Sequence, residues 1–308
     1  MLIFHHFFSK KNSLTQKVEF RSNNLLNHDE LILSWNAQRP KKGFYCIKIA
    51  YFHEKWTTAH SYVVWGVNHQ YTFSLNTSIY TCHQDLISFK QKISRFKVII
   101  EAKRGANLNN FYSISALWTN SGEILDKQMA TTKALIEMSV PKISQKQFKS
   151  PIINRICSPT SCACVLQFIN NNLVNPIHFA KKVYDKKFDI YGNWVLNVAE
   201  VSHYLGPNWL CFVTRLKSIQ DLITHLKYKI PIIVSVKGEL KGAEHSYPNG
   251  HLLVIRGIDT ENNRILCMDP AFSNPEQTYI TYDLSDFMTA WEKRNGLAYL
   301  FKPTCPLT

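Results

Sequence analysis

The stretch Arg155-Ile156-Cys157-Ser158-Pro159-Thr160-Ser161 sets a cysteine against a helix start, and a histidine follows in Gly250-His251-Leu252-Leu253-Val254. Ser158 is a good N-cap and Pro159 suits a first helical position, so the spacing predicts a helix over 159–171 with Cys157 at its positive end. A helix N-terminus favours thiolate over thiol, and a neighbouring imidazolium does so further, taking a cysteine from about 8.5 to as low as about 3.5. Together these make a nucleophile. Read singly, Cys157 also fits an ordinary buried cysteine and His251 a histidine filling a core niche; the chemistry lies in the pair. His251 opens a predicted strand, so its backbone is fixed while its ring projects from the sheet end. His245, in the loop 242–250, is a rival base.

These residues need elements to position them. The turn Asp259-Thr260-Glu261-Asn262-Asn263 folds the next strand back and brings Asp269 toward the level of His251, where a carboxylate could orient the imidazole. On local pattern alone, Asp269-Pro270 simply begins a loop. Helices are expected at 159–171, 176–187, 193–204, 219–228 and 284–294, and strands at 230–236, 252–258, 264–268, 278–282 and 298–301. From about Leu31 to Val140 the pattern is of short strands, at 44–52, 62–67, 98–101 and 112–117, rich in aromatic and β-branched residues. The fold class that follows is α+β. Residues 1–139 form an antiparallel, sandwich-like β-rich accessory domain, and residues 140–308 a second domain reached through the connection 139–154.

Several blocks in the second half resemble the papain-like cysteine peptidases related to the bacteriocin-processing, double-glycine-leader peptidases, in the branch with a Cys-Ser-Pro-Thr-Ser motif. They are Val140-Pro141-Lys142-Ile143-Ser144-Gln145, Cys157-Ser158-Pro159-Thr160-Ser161, Gly192-Asn193-Trp194-Val195-Leu196-Asn197, Pro231-Ile232-Ile233-Val234-Ser235-Val236, Gly250-His251 and Met268-Asp269-Pro270-Ala271, all in family order between about Val140 and Phe301. The resemblance implies a papain-like domain in which Cys157 is the nucleophile, His251 the base and Asp269 the residue that orients it. It implies that Gln145, in the Val-Pro-x-x-Ser-Gln segment, supplies its side-chain amide to an oxyanion beside the Cys157 N–H. Gln147 competes for that part, and Trp194, Asn197 and His245 are candidates to line a cleft. Ser34-Trp35-Asn36-Ala37, followed by Trp56 and Trp65, resembles more weakly the β-rich region preceding the peptidase domain in some relatives. Those tryptophans are read as core or half-buried strand residues rather than a binding face.

Composition bounds the reading. A chain of 308 residues that is 45% hydrophobic and 19% charged is globular and large enough for two cores. No apolar run reaches the roughly 18 to 20 residues of a membrane helix. The N-terminal apolar patch meets its first cations, Lys10 and Lys11, only after it ends, unlike a signal peptide. Cytoplasmic residence, or export by a route without a cleavable signal, is therefore expected. Eight scattered cysteines read as reduced thiols rather than a disulfide framework. Cys162 and Cys164 fall on different faces of one helix and, with Cys157, lack a paired metal-ligand spacing. Cys46, Cys82, Cys211, Cys267 and Cys305 are core or surface thiols. The net charge of +14 makes this a basic protein that favours acidic partners, but its cations are dispersed without a nucleic-acid signature. The expected activity is a thiol hydrolase acting on a peptide or protein through a thioester, with no metal or organic cofactor. An acyltransferase and a catalytically silent binding or scaffold protein are the alternatives.

Overall fold

The computed structural model describes residues 2–9, 15–22, 28–91, 93–122, 125–126 and 133–304. The first strands are β1 (Leu2–Phe7), β2 (Lys17–Arg21), β3 (Glu30–Ala37), β4 (Phe44–His53), β5 (Lys55–Trp56), β6 (His60–Gly66), β7 (Gln70–Asn76) and β8 (Tyr80–Gln84). Then come β9 (Leu86–Phe89), β10 (Arg95–Lys103), β11 (Phe111–Thr119) and β12 (Leu135–Glu137). Helices α1 (Cys157–Asn170), α2 (Pro176–Val183) and α3 (Trp194–Leu205) precede β13 (Trp209–Arg215), α4 (Ile219–Leu226), β14 (Ile232–Gly238) and β15 (Tyr247–Asp259). The chain ends in β16 (Arg264–Met268), β17 (Tyr279–Asp283), α5 (Leu284–Glu292) and β18 (Leu297–Pro303). Among the described residues, antiparallel sheets and five α-helices make the α+β class expected from the sequence.

The chain forms two compact units, one of Met1–Gly122 with Lys182–Phe212 and the other of Glu123–Lys181 with Val213–Thr308. In the first, antiparallel strands run in the order β1-β11-β3-β9-β8-β7-β6-β4-β10-β2, with β5 on β4. Trp35 and Trp65 are fully buried and meet edge to face at 5.8 Å, as core tryptophans do. Trp56 is half-buried against Phe52. Helix α3 joins this unit by packing on β3. Ala37 N–H donates to Ser202 Oγ at 3.1 Å, and Arg39 pairs with Glu200 at 2.7 Å with both side chains buried. Such long-range contacts leave no trace in local periodicity.

The second unit is built on the antiparallel run β18-β14-β15-β16-β17, with β12 sharing one edge of β15 with β14. From His251 to Ile258 every residue of β15 is buried, with the apolar run Leu252–Ile255 between His251 and Arg256, so the strand shows no in-out alternation. Helix α1 packs on β15 and β14, and α5 on β14 and β16.

Helix α1 starts two residues before the expected position. Its N-cap is Ile156, which offers no side-chain acceptor, and Ser158 lies inside the helix with its hydroxyl 3.1 Å from the Tyr299 hydroxyl. Pro159 is then the third helical residue. It costs no hydrogen bond there, since the first four N–H groups of a helix have no carbonyl to reach. The helix closes on Asn171 in the left-handed region (φ 53°), a conformation asparagine tolerates. Strand β15 likewise begins at Tyr247 rather than near His251, because Tyr247 pairs with Gly238 of β14 while Pro248-Asn249-Gly250, which read locally as a turn, form the register shift before His251. Helix α2 stops at Val183, short of residue 187, and Asp185 instead bridges to Ile190.

Ser161 joins the helix to the strand, its hydroxyl donating to the Leu252 carbonyl at 3.1 Å in the buried core. Replacing Ser161 by alanine is expected to lower the unfolding free energy by about 1–2 kcal/mol, the value of a buried hydrogen bond whose acceptor is left behind. Urea denaturation of the two proteins measures it.

Candidate active site

Cys157 is the first residue of α1, where the free N–H groups and the helix dipole converge. The contacts of Ser158 with β18 and of Ser161 with β15 fix the roll of the helix and set Cys157 against His251. Burial alone would push the thiol pKa up. The hydrogen bond from His251, the imidazolium charge and the backbone N–H groups of Leu252 and Ser158 outweigh it, and the pKa lies below the ordinary thiol value.

His251 sits within β15 opposite Val236 and is 4% exposed. Its Nε2 lies 2.7 Å from Asp269 Oδ1, which leaves Nδ1 as the ring nitrogen for the thiol. Burial would depress its pKa. The Asp269 charge and hydrogen bond, with a further contribution from Cys157, reverse that and raise it to about 10. The imidazolium is thus the favoured form across the neutral range.

Asp269 follows the last residue of β16 and is completely buried. A buried carboxylate is tolerable only when its lone pairs are met. Oδ1 takes His251 Nε2 and the Ala271 N–H at 2.9 Å, and Oδ2 takes the hydroxyls of Tyr282 at 2.7 Å and Tyr247 at 2.8 Å. Burial pushes the Asp269 pKa up, but the His251 charge and these hydrogen bonds pull it below the ordinary carboxylate value. The loop reading of Asp269-Pro270 is correct for the backbone and omits the side chain's part.

Gln145 begins a short 3-10 turn, Gln145–Gln147, and is 5% exposed. Its N–H donates to the Pro270 carbonyl at 2.9 Å, next to Asp269, and its turn packs on the turn Ile153–Arg155 that leads into Cys157. Its Oε1 is buried without a hydrogen-bond partner. Gln147 is spent otherwise: its Oε1 accepts from the Ser144 N–H at 3.4 Å and completes a capping box. Lys146 reaches Glu244 at 3.3 Å and Ser273 at 3.5 Å, tying this turn to the loops before His251 and after Asp269.

The other candidates make contacts of their own. His245 is exposed, with Nδ1 2.8 Å from the Ser246 carbonyl, and neither Cys157 nor Asp269 is among its contacts. Trp194 and Asn197 belong to the first unit, where the Trp194 N–H donates to Asp85 and the Asn197 amide caps the carbonyls of Tyr191 and Asn193. Cys162 and Cys164 are buried in α1, Cys164 donating to the Pro141 carbonyl at 3.3 Å. Cys46, Cys82, Cys211 and Cys267 are buried thiols, and Cys305 lies outside the described residues. Among the described residues, no three histidine, cysteine or acidic side chains converge as metal ligands would. Among the described residues, no helix is long and apolar enough to cross a membrane. Tyr247 and Tyr282 were not legible as site residues. Tyr247 stands in a Pro-Asn-Gly stretch that looks like a turn, and Tyr282 on a strand that looks structural.

The pair's effect on stability has a definite sign. The His251 pKa is raised in the fold, so its contribution is complete below the unfolded value of 6.5 and fades as pH rises toward the folded value. The Asp269 pKa is depressed, so its contribution is complete above 3.8 and lost as pH falls through the folded value. In a Cys157→Ala background, which removes the thiol's own titration, Asp269→Asn is therefore expected to lower the melting temperature most between about pH 4 and 6.5. The deficit should shrink on the alkaline side. Thermal melts across pH give the comparison.

Comparison with known proteins adds the family. No curated protein matches the chain. The model of the Peptidase_C39 like family matches residues 137–299, a segment that holds Gln145, Cys157, His251 and Asp269 and spans just over half the sequence. The chain belongs to the Peptidase_C39 like family.

Proposed function

We propose that this protein is a cysteine peptidase, or a related thiol hydrolase, that cleaves an amide bond through a thioester at Cys157. The observation that carries the reading is the continuous line from the half-buried Cys157 thiol through buried His251 to buried Asp269. The order of elements, a helix presenting the cysteine and antiparallel strands presenting histidine and aspartate, is that of a papain-like domain. Residues 1–139 are its sandwich-like, β-rich accessory.

The Cys157 thiolate attacks the scissile carbonyl carbon, and the carbonyl π pair moves to oxygen. The Cys157 N–H and the Gln145 side-chain amide donate to that oxyanion. Collapse of the tetrahedral adduct breaks the C–N bond as the His251 Nδ1 proton passes to the leaving amine, giving a thioester. Water then loses a proton to His251 and adds its oxygen to the thioester carbon. The C–S bond breaks, releasing the acid and restoring thiolate and imidazolium. Asp269 keeps its charge throughout, holding the ring by Nε2 so that Nδ1 faces the sulfur.

The test is cleavage of a peptide library, followed by mass spectrometry. Cys157→Ala and His251→Ala should each abolish product formation. Gln145→Ala should lower kcat by about 10²–10³-fold with little change in KM, the loss typical of one oxyanion donor. Hydrolysis undiminished in Cys157→Ala contradicts the proposal. Adding amines and thiols to the wild-type reaction separates hydrolysis from acyl transfer, since only transfer yields the amide or exchanged thioester. Labelling and cleavage both absent from the folded protein would leave the scaffold reading.

A further inference from the structure

We propose that Tyr247 is a positioning residue for the Cys157–His251 pair, folded back onto the imidazole by a kink in β15 and acting with Tyr282 to hold the second oxygen of Asp269. This rests on the thiol-hydrolase reading above and extends it to two residues outside the nucleophile, base and orienting carboxylate.

The backbone is irregular where the contact needs it to be. In an extended strand, rising about 3.3 Å per residue, residues four apart stand about 13 Å from one another. The rings of Tyr247 and His251 nevertheless stack at 4.1 Å, inclined by only 15°. Between them the ladder with β14 shifts register after Val236, and Gly250 takes φ +92°, a conformation a side-chain-bearing residue enters only under strain. Pro248 and Asn249 are turned out to solvent while Tyr247 (3% exposed) and His251 are buried. A regular strand would forfeit this contact.

Tyr247 is itself held at both ends. Its ring covers one face of the imidazole and so opposes rotation of His251 out of line between carboxylate and thiol. Its hydroxyl donates to Asp269 Oδ2, which prevents the phenol from swinging away. Tyr282 brings a second hydroxyl to the same oxygen from β17, so Oδ1 is left to His251 and the Ala271 N–H. Burial and the Asp269 charge keep both phenols protonated, and therefore donors. The titratable and charged groups around the pair are Cys157, Asp269, the two tyrosines and, at the edges, Cys267 beside Asp269, His245 beside Tyr247, and the Arg294 guanidinium and Lys293 ammonium packed against Gly250 and Gly238.

The experiment is the pH dependence of Cys157 carboxamidomethylation by iodoacetamide, located by peptide mass spectrometry, which needs no substrate. Both hydroxyl dipoles point their positive ends at the carboxylate, so removing either makes the coupled groups hold their protons more tightly. Tyr247→Phe and Tyr282→Phe should each move the acid limb of the profile upward by roughly half to one pH unit, with limiting rates within about twofold of wild type. Tyr247→Ala, which also removes the ring, should lower the limiting rate by about tenfold or more, as expected when an orienting contact is lost. Tyr279→Phe is the control, because that half-buried phenol donates to the Val140 carbonyl and not to Asp269; its profile should match wild type. Acid limbs unmoved in both phenylalanine variants, or shifted equally in Tyr279→Phe, would overturn the proposal. So would a wild-type limiting rate in a folded Tyr247→Ala. If wild-type Cys157 itself labels like an ordinary thiol, the thiol-hydrolase reading fails and takes the proposal with it, an outcome distinct from normal activation that is indifferent to the tyrosines.

Discussion

The fully buried carboxylate of Asp269 is the constraint on which the site depends. An ionised carboxylate taken out of water costs several kcal/mol unless it is paired and hydrogen-bonded. Here an imidazolium, a backbone N–H and two phenols meet that cost together. The donors come from β15, from the loop after β16 and from β17, so the charge can be buried only when these segments are in register. What sustains the charge also sets the His251 ring, and the ring sets the state of the thiol.

The scaffold supplies the other half of the geometry. Cys157 needs a helix start that faces a strand, and Ser158 and Ser161 provide it by spending their hydroxyls on β18 and β15. Gln145 needs to return from twelve residues upstream. The Pro270 carbonyl and the Lys146 contacts with Glu244 and Ser273 hold its turn beside the loop that carries Asp269. Buried hydrogen bonds thus gather the segments around one place.

Much of this was legible in the sequence, and the exceptions have physical causes. The cysteine at a helix start, the histidine in an apolar strand and the aspartate after the returning strand could be read from residue types and order. The helices beginning at Pro176, Ile219 and Leu284 and the strand Arg264–Met268 followed from periodicity. Ser158-Pro159 misled because serine and proline fit an N-cap and first position equally well in sequence, whereas tertiary packing gave Ser158 a partner on β18. Tyr247-Pro248-Asn249-Gly250 has the composition of a turn, and the pairing of Tyr247 with β14 depends on a kink that local propensity does not encode. The packing of α3 on β3 joins residues about 165 apart, as in the Ala37–Ser202 hydrogen bond, and no window-based pattern carries that information.

The central claim is that His251, itself held by Asp269, lowers the pKa of the Cys157 thiol below the ordinary value. The ultraviolet absorbance of the thiolate tests it directly, taken as the difference between the protein and Cys157→Ala through a pH titration, in the presence and absence of the His251 side chain. The structure predicts a thiolate signal that persists below the ordinary cysteine value of about 8.5 and moves up to that range in His251→Ala. A signal that emerges only near the ordinary value, with the same midpoint in both proteins, would contradict it.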